Sequence, residues 1–417
     1  MTKNIHQNLQ MSFFFRNFAA TIRTEQITHS TMTNKERYAA FCQARPEMPV
    51  MMQPWWLEAV CAGKQWDVML LTKNDLDAES NLWQRIKARV RKRSDDAANA
   101  GNDEAQAVTA EALDPNEEIV AAMPYLLRKR LWYKFIIMPQ MTPFGGVWMN
   151  EELFGSPELQ EKLAKAIVRK LREMHLAYYY QKFPVGNPLP YWLGKRDMKI
   201  EERVTYRINE LPQIEAVEDG YSQNKKRQLR KAEGLEVDYD MTAEEFYRFH
   251  TACIAERGKK LSYTREFLLV LEKKARRAGQ CAIIRVSGNV AENGAHGTNE
   301  TEEPINEHGT TRKGTEQTLA AAFVVWDKRY LYYLIPAYLP SAAKSGASAR
   351  LADEAIRLAK EKGLQFDFEG GNDDEGIANH YRQFGSKAVQ YQSVSKLYRP
   401  SFALLLWVYK WWEKRRF

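Results

Sequence analysis

The chain is 417 residues long, 44% hydrophobic and 27% charged, which excludes a fibrous or disordered protein and exceeds what one hydrophobic core ordinarily supports. A formal net charge of +8 and a pI near 9.0 favour polyanionic partners: nucleic acid, phosphate-bearing cofactors or an anionic membrane surface. The widely spaced Cys42, Cys61, Cys253 and Cys281 read as reduced thiols in a cytoplasmic protein, and without a metal-ligand motif no metal is expected.

Residues 1–31 hold one acidic residue and no apolar run long enough for a signal-peptide core. They are expected to form an unstructured extension, with Met32 as an alternative start. From residue 32 a first unit runs to about 200. It has a strand-like WDVMLL (66–71), a polar insertion at 93–118, a strand pair IVAAMPYLLRKRLWYKFIIMP and a helix beginning at Pro157 with Leu163, Ile167 and Leu171 on one stripe. The apolar AYYYQKF follows. The second unit, about 241–400, repeats the order: CAIIRV (281–286), a polar insertion at 287–317, the pair LAAAFVVWDKRYLYYLIPAY, a helix striped by Leu351, Ala355 and Leu358 with Gly363 as C-cap, then LQFDFEG. Both insertions lack the apolar content to offset ordering entropy. The order strand, insertion, strand, strand, helix, strand thus occurs twice. It predicts an α/β (α+β) protein of two units, each a mixed β-sheet flanked by helices.

Residues 201–240 bridge the units with a strand, RVTYRIN, and a basic helix, NKKRQLRKAE, before LEVDYD. Lys225, Lys226, Arg227, Arg230 and Lys231 are candidates for holding phosphates. Arg227, Arg230 and Lys231 fall at i, i+3, i+4 and make one helical face positive. The tail, 401–417, is apolar from Phe402 to Trp412, short of the ~20 residues that span a bilayer. It either packs on the protein or lies in a membrane interface.

The stretch GLQFDFEGG raises the chemistry. Period two puts Phe366 and Phe368 on a core face and Asp367 and Glu369 on the other, where an acidic face at a strand's C-terminal end is expected to look into a substrate cleft. Gly370 and Gly371 then let the backbone approach a ligand closely. Either carboxylate can orient or deprotonate an amine. Tyr381, on the next helix, is a candidate proton donor, set against packing beneath that helix, and Tyr333 on YLYYLIPAY is a candidate contact set against a core role.

On PFGGVW (143–148), SQNKKRQLRKAEGLEV and FDFEGG….GIANHYRQFG, the chain resembles the Fem-type branch of the GNAT acyltransferase fold over roughly residues 49–400. The resemblance implies two tandem GNAT-like units and transfer of an acyl or aminoacyl group to an amine acceptor, such as a nucleotide- or lipid-linked cell-wall (peptidoglycan) precursor. The co-substrate is then acyl-CoA or aminoacyl-tRNA, with no tightly bound cofactor and a cytoplasmic location peripheral to the inner membrane. A general acyl-CoA-dependent N-acetyltransferase and a non-catalytic basic binding protein remain as alternatives. The resemblance also implies roles for Ser345, Gly346 and Ser348 in AAKSGASARL, where acyl-CoA GNATs hold a pyrophosphate, and for Arg382. The loop lacks the leading Gln or Arg of those enzymes, and His380, Tyr381, Arg382, Gln383 and Phe384 replace the family's F-K-x-x-F run.

Overall fold

The computed structural model describes residues 32–61, 64–77, 118–288, 317–371, 374–405 and 407–408. The N-terminal extension, the basic run at 84–93 and all but the borders of both insertions lie outside the described residues.

Twelve strands form one mixed sheet. In the first half they are β1 (Trp66–Thr72), β2 (Ile119–Arg130), β3 (Tyr133–Ile137), β4 (Trp148–Met149) and β5 (Tyr178–Lys182), and β6 (Lys199–Ile208) follows in the bridge. The second half supplies β7 (Glu236–Asp238), β8 (Cys281–Gly288), β9 (Gln317–Trp326), β10 (Tyr330–Tyr338), β11 (Gln365–Asp367) and β12 (Lys387–Leu397). Their order is β1-β2-β3-β5-β12-β6-β11-β10-β9-β8-β7, with β4 against β2.

Two parallel pairs, β3 with β5 and β10 with β11, stand among antiparallel neighbours. A parallel pair needs a crossover, and an amphipathic helix supplies each. Ser156 caps one helix, whose buried Leu163, Ile167 and Leu171 face the sheet; the other buries Leu351, Ala355 and Ile356. The strand and helix order read from the sequence thus recurs in both halves, while the insertions in it fall almost wholly outside the described residues. The two sheets expected from the sequence are one: β12 pairs with β5 through Ser393–Leu397 and with β6 through Lys387–Ser395, so the last strand of the chain is the seam.

Helices cover the sheet, among them α1 (Asn34–Gln43), α2 (Pro54–Val60), α3 (Glu151–Gly155), α4 (Pro157–Glu173), α5 (Leu189–Gly194), α6 (Gln223–Lys231), α7 (Ala243–Ala255), α8 (Arg265–Arg277), α9 (Ala347–Glu361) and α10 (Glu375–Arg382). The N-terminal α2 packs on α8 of the second half, and α1 and α2 share one core with the second half. A second core lies under α4. At the tail Phe402 is buried against Tyr133, Phe135 and Tyr178, so the tail begins as packing, while Leu404 and Trp407 are exposed. Residues 409–417 lie outside the described ones. No helix among the described residues is long and apolar enough to cross a membrane.

Candidate active site

Strands β10 and β11 pair only through Tyr330–Tyr332 and Gln365–Asp367, after which β11 ends and β10 continues to Tyr338. Side chains fill the parting. Phe366 and Phe368 are fully buried with ring centroids 4.8 Å apart, Tyr333 lies 6.0 Å from each, and Tyr381 stacks on Phe368 at 4.3 Å. The aromatic face of this strand is thus core, as period two requires.

The opposite face differs from the expected open cleft. Asp367 is itself buried: Oδ2 accepts from Nε of Arg207 at 2.5 Å, and Oδ1 accepts from Oγ1 of Thr205 at 2.5 Å and from the backbone N–H of Glu369 at 3.0 Å. Thr205 and Arg207 alternate along β6, the antiparallel neighbour of β11, so both reach the same face. With its lone pairs committed to three donors, Asp367 is an anchor that holds Arg207 and the turn.

Glu369 stands at the start of a strained turn. Its φ is +54°, followed by +104° at Gly370 and +96° at Gly371, a run that two glycines relieve. A Cβ on Gly371 would sit 2.9 Å from the ring of Tyr206, whereas one on Gly370 would meet nothing within 4 Å, so only Gly370 is open to a neighbour. Burial, then the charge of Asp367, push the Glu369 carboxyl well above the usual carboxylate range, against the opposing pull of Arg207 and Lys182. Burial lowers Lys182 and raises Tyr391 to about 12, with Glu369 the next cause at Tyr391.

Thr205, Arg207, Asp367, Glu369 and Tyr391 line a cavity of about 10 Å³, closed on the first-half side by Pro143 and Phe144 of the PFGGVW loop and by Phe183. A hydrogen bond from Gly145 N–H to the carbonyl of Lys182 fastens that loop to β5. The space holds one water at most. The acidic face therefore looks onto the first half of the molecule, and the expected substrate cleft is closed.

The remaining predicted residues divide. Tyr333 is core. Lys225 is wholly buried and cannot reach a phosphate: its Nζ meets Oε1 of Gln228 at 2.8 Å and Nδ1 of His380 at 3.2 Å over the ring of Phe384. Burial lowers Lys225 to about 8 and His380 to about 4. Lys226 is half-buried, while Arg227, Arg230 and Lys231 are exposed with no ion-pair partner among the described residues. Gly346 (φ +82°) begins α9, but its bare face abuts α6, where a Cβ would lie 2.5 Å from the carbonyl oxygen of Gln228. Helix packing explains that glycine. Ser345 Oγ donates to Ala342 O and accepts from Ala347 N–H, a local cap, and Ser348 is half-buried one turn on. Arg382 pairs with Glu375 and donates to the hydroxyl of Tyr206. Thr205, Arg207, Lys182 and Tyr391 were missed; the alternation Arg203, Thr205, Arg207 in RVTYRI was the available signal for two of them.

Residues 308–382 match the family described as acetyltransferase (GNAT) domain. No curated protein matches the chain. Among solved structures FemX aligns with a TM-score of 0.54 at 13% identity over 87% of this chain and 96% of its own. The C-terminal domain of a putative lysylphosphatidylglycerol synthetase from Agrobacterium fabrum gives 0.41 at 11% identity over 66% and 81%. A tandem GNAT protein from the clavulanic acid biosynthesis pathway gives 0.38 at 11% over 80% and 98%. The chain has the fold of FemX, and the stretch that matches a GNAT acetyltransferase domain lies in its second half.

Proposed function

We propose that the chain is an N-acyltransferase that moves an acyl or aminoacyl group onto an amine, with Glu369 taking the amine's proton. The observation that carries the reading is the Glu369 carboxyl, held above the usual range on a strained turn where β10 and β11 part. The amine lone pair attacks the acyl carbonyl carbon, the N–H proton passes to the Glu369 carboxylate, and the bond to the leaving oxygen or sulfur breaks as that atom takes a proton. A carboxyl with a raised pKa is the stronger base once ionised. Tyr381, whose hydroxyl is raised by burial and then by Glu369, stays protonated at neutral pH, the state a donor to the leaving group needs. Substrate entry requires the PFGGVW loop to withdraw from β11.

The donor favoured is an aminoacyl-tRNA. Helix α6 packs on Gly346, where an acyl-CoA pyrophosphate would need to approach, and the outward Arg227, Arg230 and Lys231 suit a nucleic-acid backbone. The acceptor in this reading is an amine of a nucleotide- or lipid-linked cell-envelope precursor, met at the cytoplasmic face of the inner membrane. Parallel assays with charged tRNA and with acyl-CoA, read by mass spectrometry of the acceptor, test it. Product with charged tRNA alone is expected. Product from acyl-CoA alone would make the chain a general N-acetyltransferase, and polyanion binding without turnover a non-catalytic binding protein.

A further inference from the structure

A cavity of about 520 Å³ lies between the N-terminal helices and the second half, sharing no lining residue with the Glu369 cavity. Its walls come from the α1–α2 segment (Arg45, Gln53, Trp55), the turn after α8 (Gln280) and the β9–β10 turn (Trp326, Lys328). This size and a position between packed halves suit a small organic ligand.

The chemistry of the walls narrows the class. Trp55 offers flat apolar surface and Trp326 one face of its ring, since Nζ of Lys362 lies over the ring 4.4 Å from its centroid; their surroundings are fixed, as the Trp55 indole N–H donates to Oε1 of Gln53 at 2.6 Å and of Gln280 at 2.9 Å, and Gln280 Nε2 donates to the Trp326 carbonyl at 3.1 Å. Arg45 is half-buried with its guanidinium 3.9 Å from the Phe41 ring centroid and 5.4 Å from that of Trp148. Stacking occupies the face of the guanidinium, and no carboxylate among the described residues takes its in-plane donors. Lys328 at the rim is likewise unpaired among the described residues. The acid in the wall, Asp327, is turned inward: it accepts the backbone N–H groups of Val50, Arg329 and Tyr330 and the hydroxyl of Tyr332. Two uncommitted cations beside two indoles, with the carboxylate consumed elsewhere, match a ligand that is planar at one end and anionic at the other.

We propose that this cavity binds a nucleoside phosphate, with the ring against Trp55 and Trp326 and the phosphates on Arg45 and Lys328. Isothermal titration of the full chain with ADP, UDP, the matching nucleosides and inorganic pyrophosphate tests it without reference to acyl transfer, so it can fail independently of the function proposed above. A nucleoside diphosphate should bind. Arg45→Gln should weaken it about tenfold and leave nucleoside binding unchanged, and Trp326→Leu should weaken both. Lys328→Ala, at an exposed position that does not endanger folding, should weaken the diphosphate alone. Replacing Arg227 and Arg230 on α6 should have no effect. Absence of diphosphate binding at millimolar concentration, undiminished binding in Lys328→Ala and in whichever wall variants fold, or pyrophosphate binding as tightly as the diphosphate would overturn the proposal.

Discussion

Nε of Arg207 lies 2.5 Å from Oδ2 of Asp367 with both side chains withdrawn from water. Removing one member of such a pair strands the other, and Asp367→Asn should cost about 3–5 kcal/mol of stability. It should also lower the pKa of Glu369, since the charge of Asp367 is the second cause of its elevation. Denaturant melts and carbon NMR titration of the Glu369 carboxyl measure the two effects. The double replacement Arg207→Met with Asp367→Leu should recover most of the stability; an Asn variant as stable as the parent would remove the anchor role.

Glu369 makes a prediction in which activity and stability part. A carboxyl whose folded pKa is raised contributes stability that is fully present below its unfolded value, near 4.5, and lost as pH rises through the folded one. Glu369→Gln should therefore gain on the parent protein in melts as pH rises, because a neutral amide is never ionised. The same change should lower kcat by roughly 10²-fold or more if this group is the general base. In the parent, turnover should rise with pH as the carboxyl ionises. Equal turnover in the Gln variant would leave substrate-assisted transfer as the better account.

The elements of this fold were legible where local periodicity and tertiary packing agree. The stripe on α4 and the alternation of Phe366 and Phe368 bury what the pattern says they bury, whereas on α9 Leu351 and Ala355 are buried, Leu358 is half-buried and Ile356 enters the core instead. What sequence could not carry was the partner across the sheet. Asp367 reads as an exposed acid until β6 is laid beside β11, and Lys225 reads as one more cation of a basic helix until His380 and Phe384 close over it. The seam made by β12 has the same character: a strand's own residues do not say that it bridges β5 and β6.

The two glycines after Glu369 are separable by experiment. Both have positive φ, so Ala at either position should cost roughly 1–2 kcal/mol of backbone strain. Only Gly371 also faces the Tyr206 ring, at 2.9 Å from an added Cβ. Gly371→Ala should thus be clearly the more destabilising in thermal melts. If Gly370→Ala loses no more than this strain yet raises KM, the open side of Gly370 is a substrate contact; a normal KM would assign this glycine to conformation alone.

The basic helix divides by face. Replacing Arg227, Arg230 and Lys231 with Ala should leave the fold intact, weaken binding of a charged tRNA and reduce the slope of log K against log salt by about one for each phosphate that is no longer neutralised. Lys225→Met, by contrast, exchanges a buried amine for an apolar chain and should leave the salt slope alone. A slope unchanged in the triple variant would make α6 a solvated surface.

The tail divides by residue. Phe402 packs with ring centroids 5.2 Å from Tyr133 and 5.1 Å from Phe135, so Phe402→Ala should cost about 3 kcal/mol and loosen β3. Deleting the whole tail from this residue should destabilise the protein for that reason. Leu404 and Trp407 make no such contribution, being 66% and 63% exposed, and their apolar surface is what a membrane interface would take. Leu404→Ser with Trp407→Ser should keep the parent's melting temperature and lose affinity for anionic liposomes in a sedimentation assay. Undiminished liposome binding in that variant, with Phe402 in place, would show that these exposed residues do not anchor the protein.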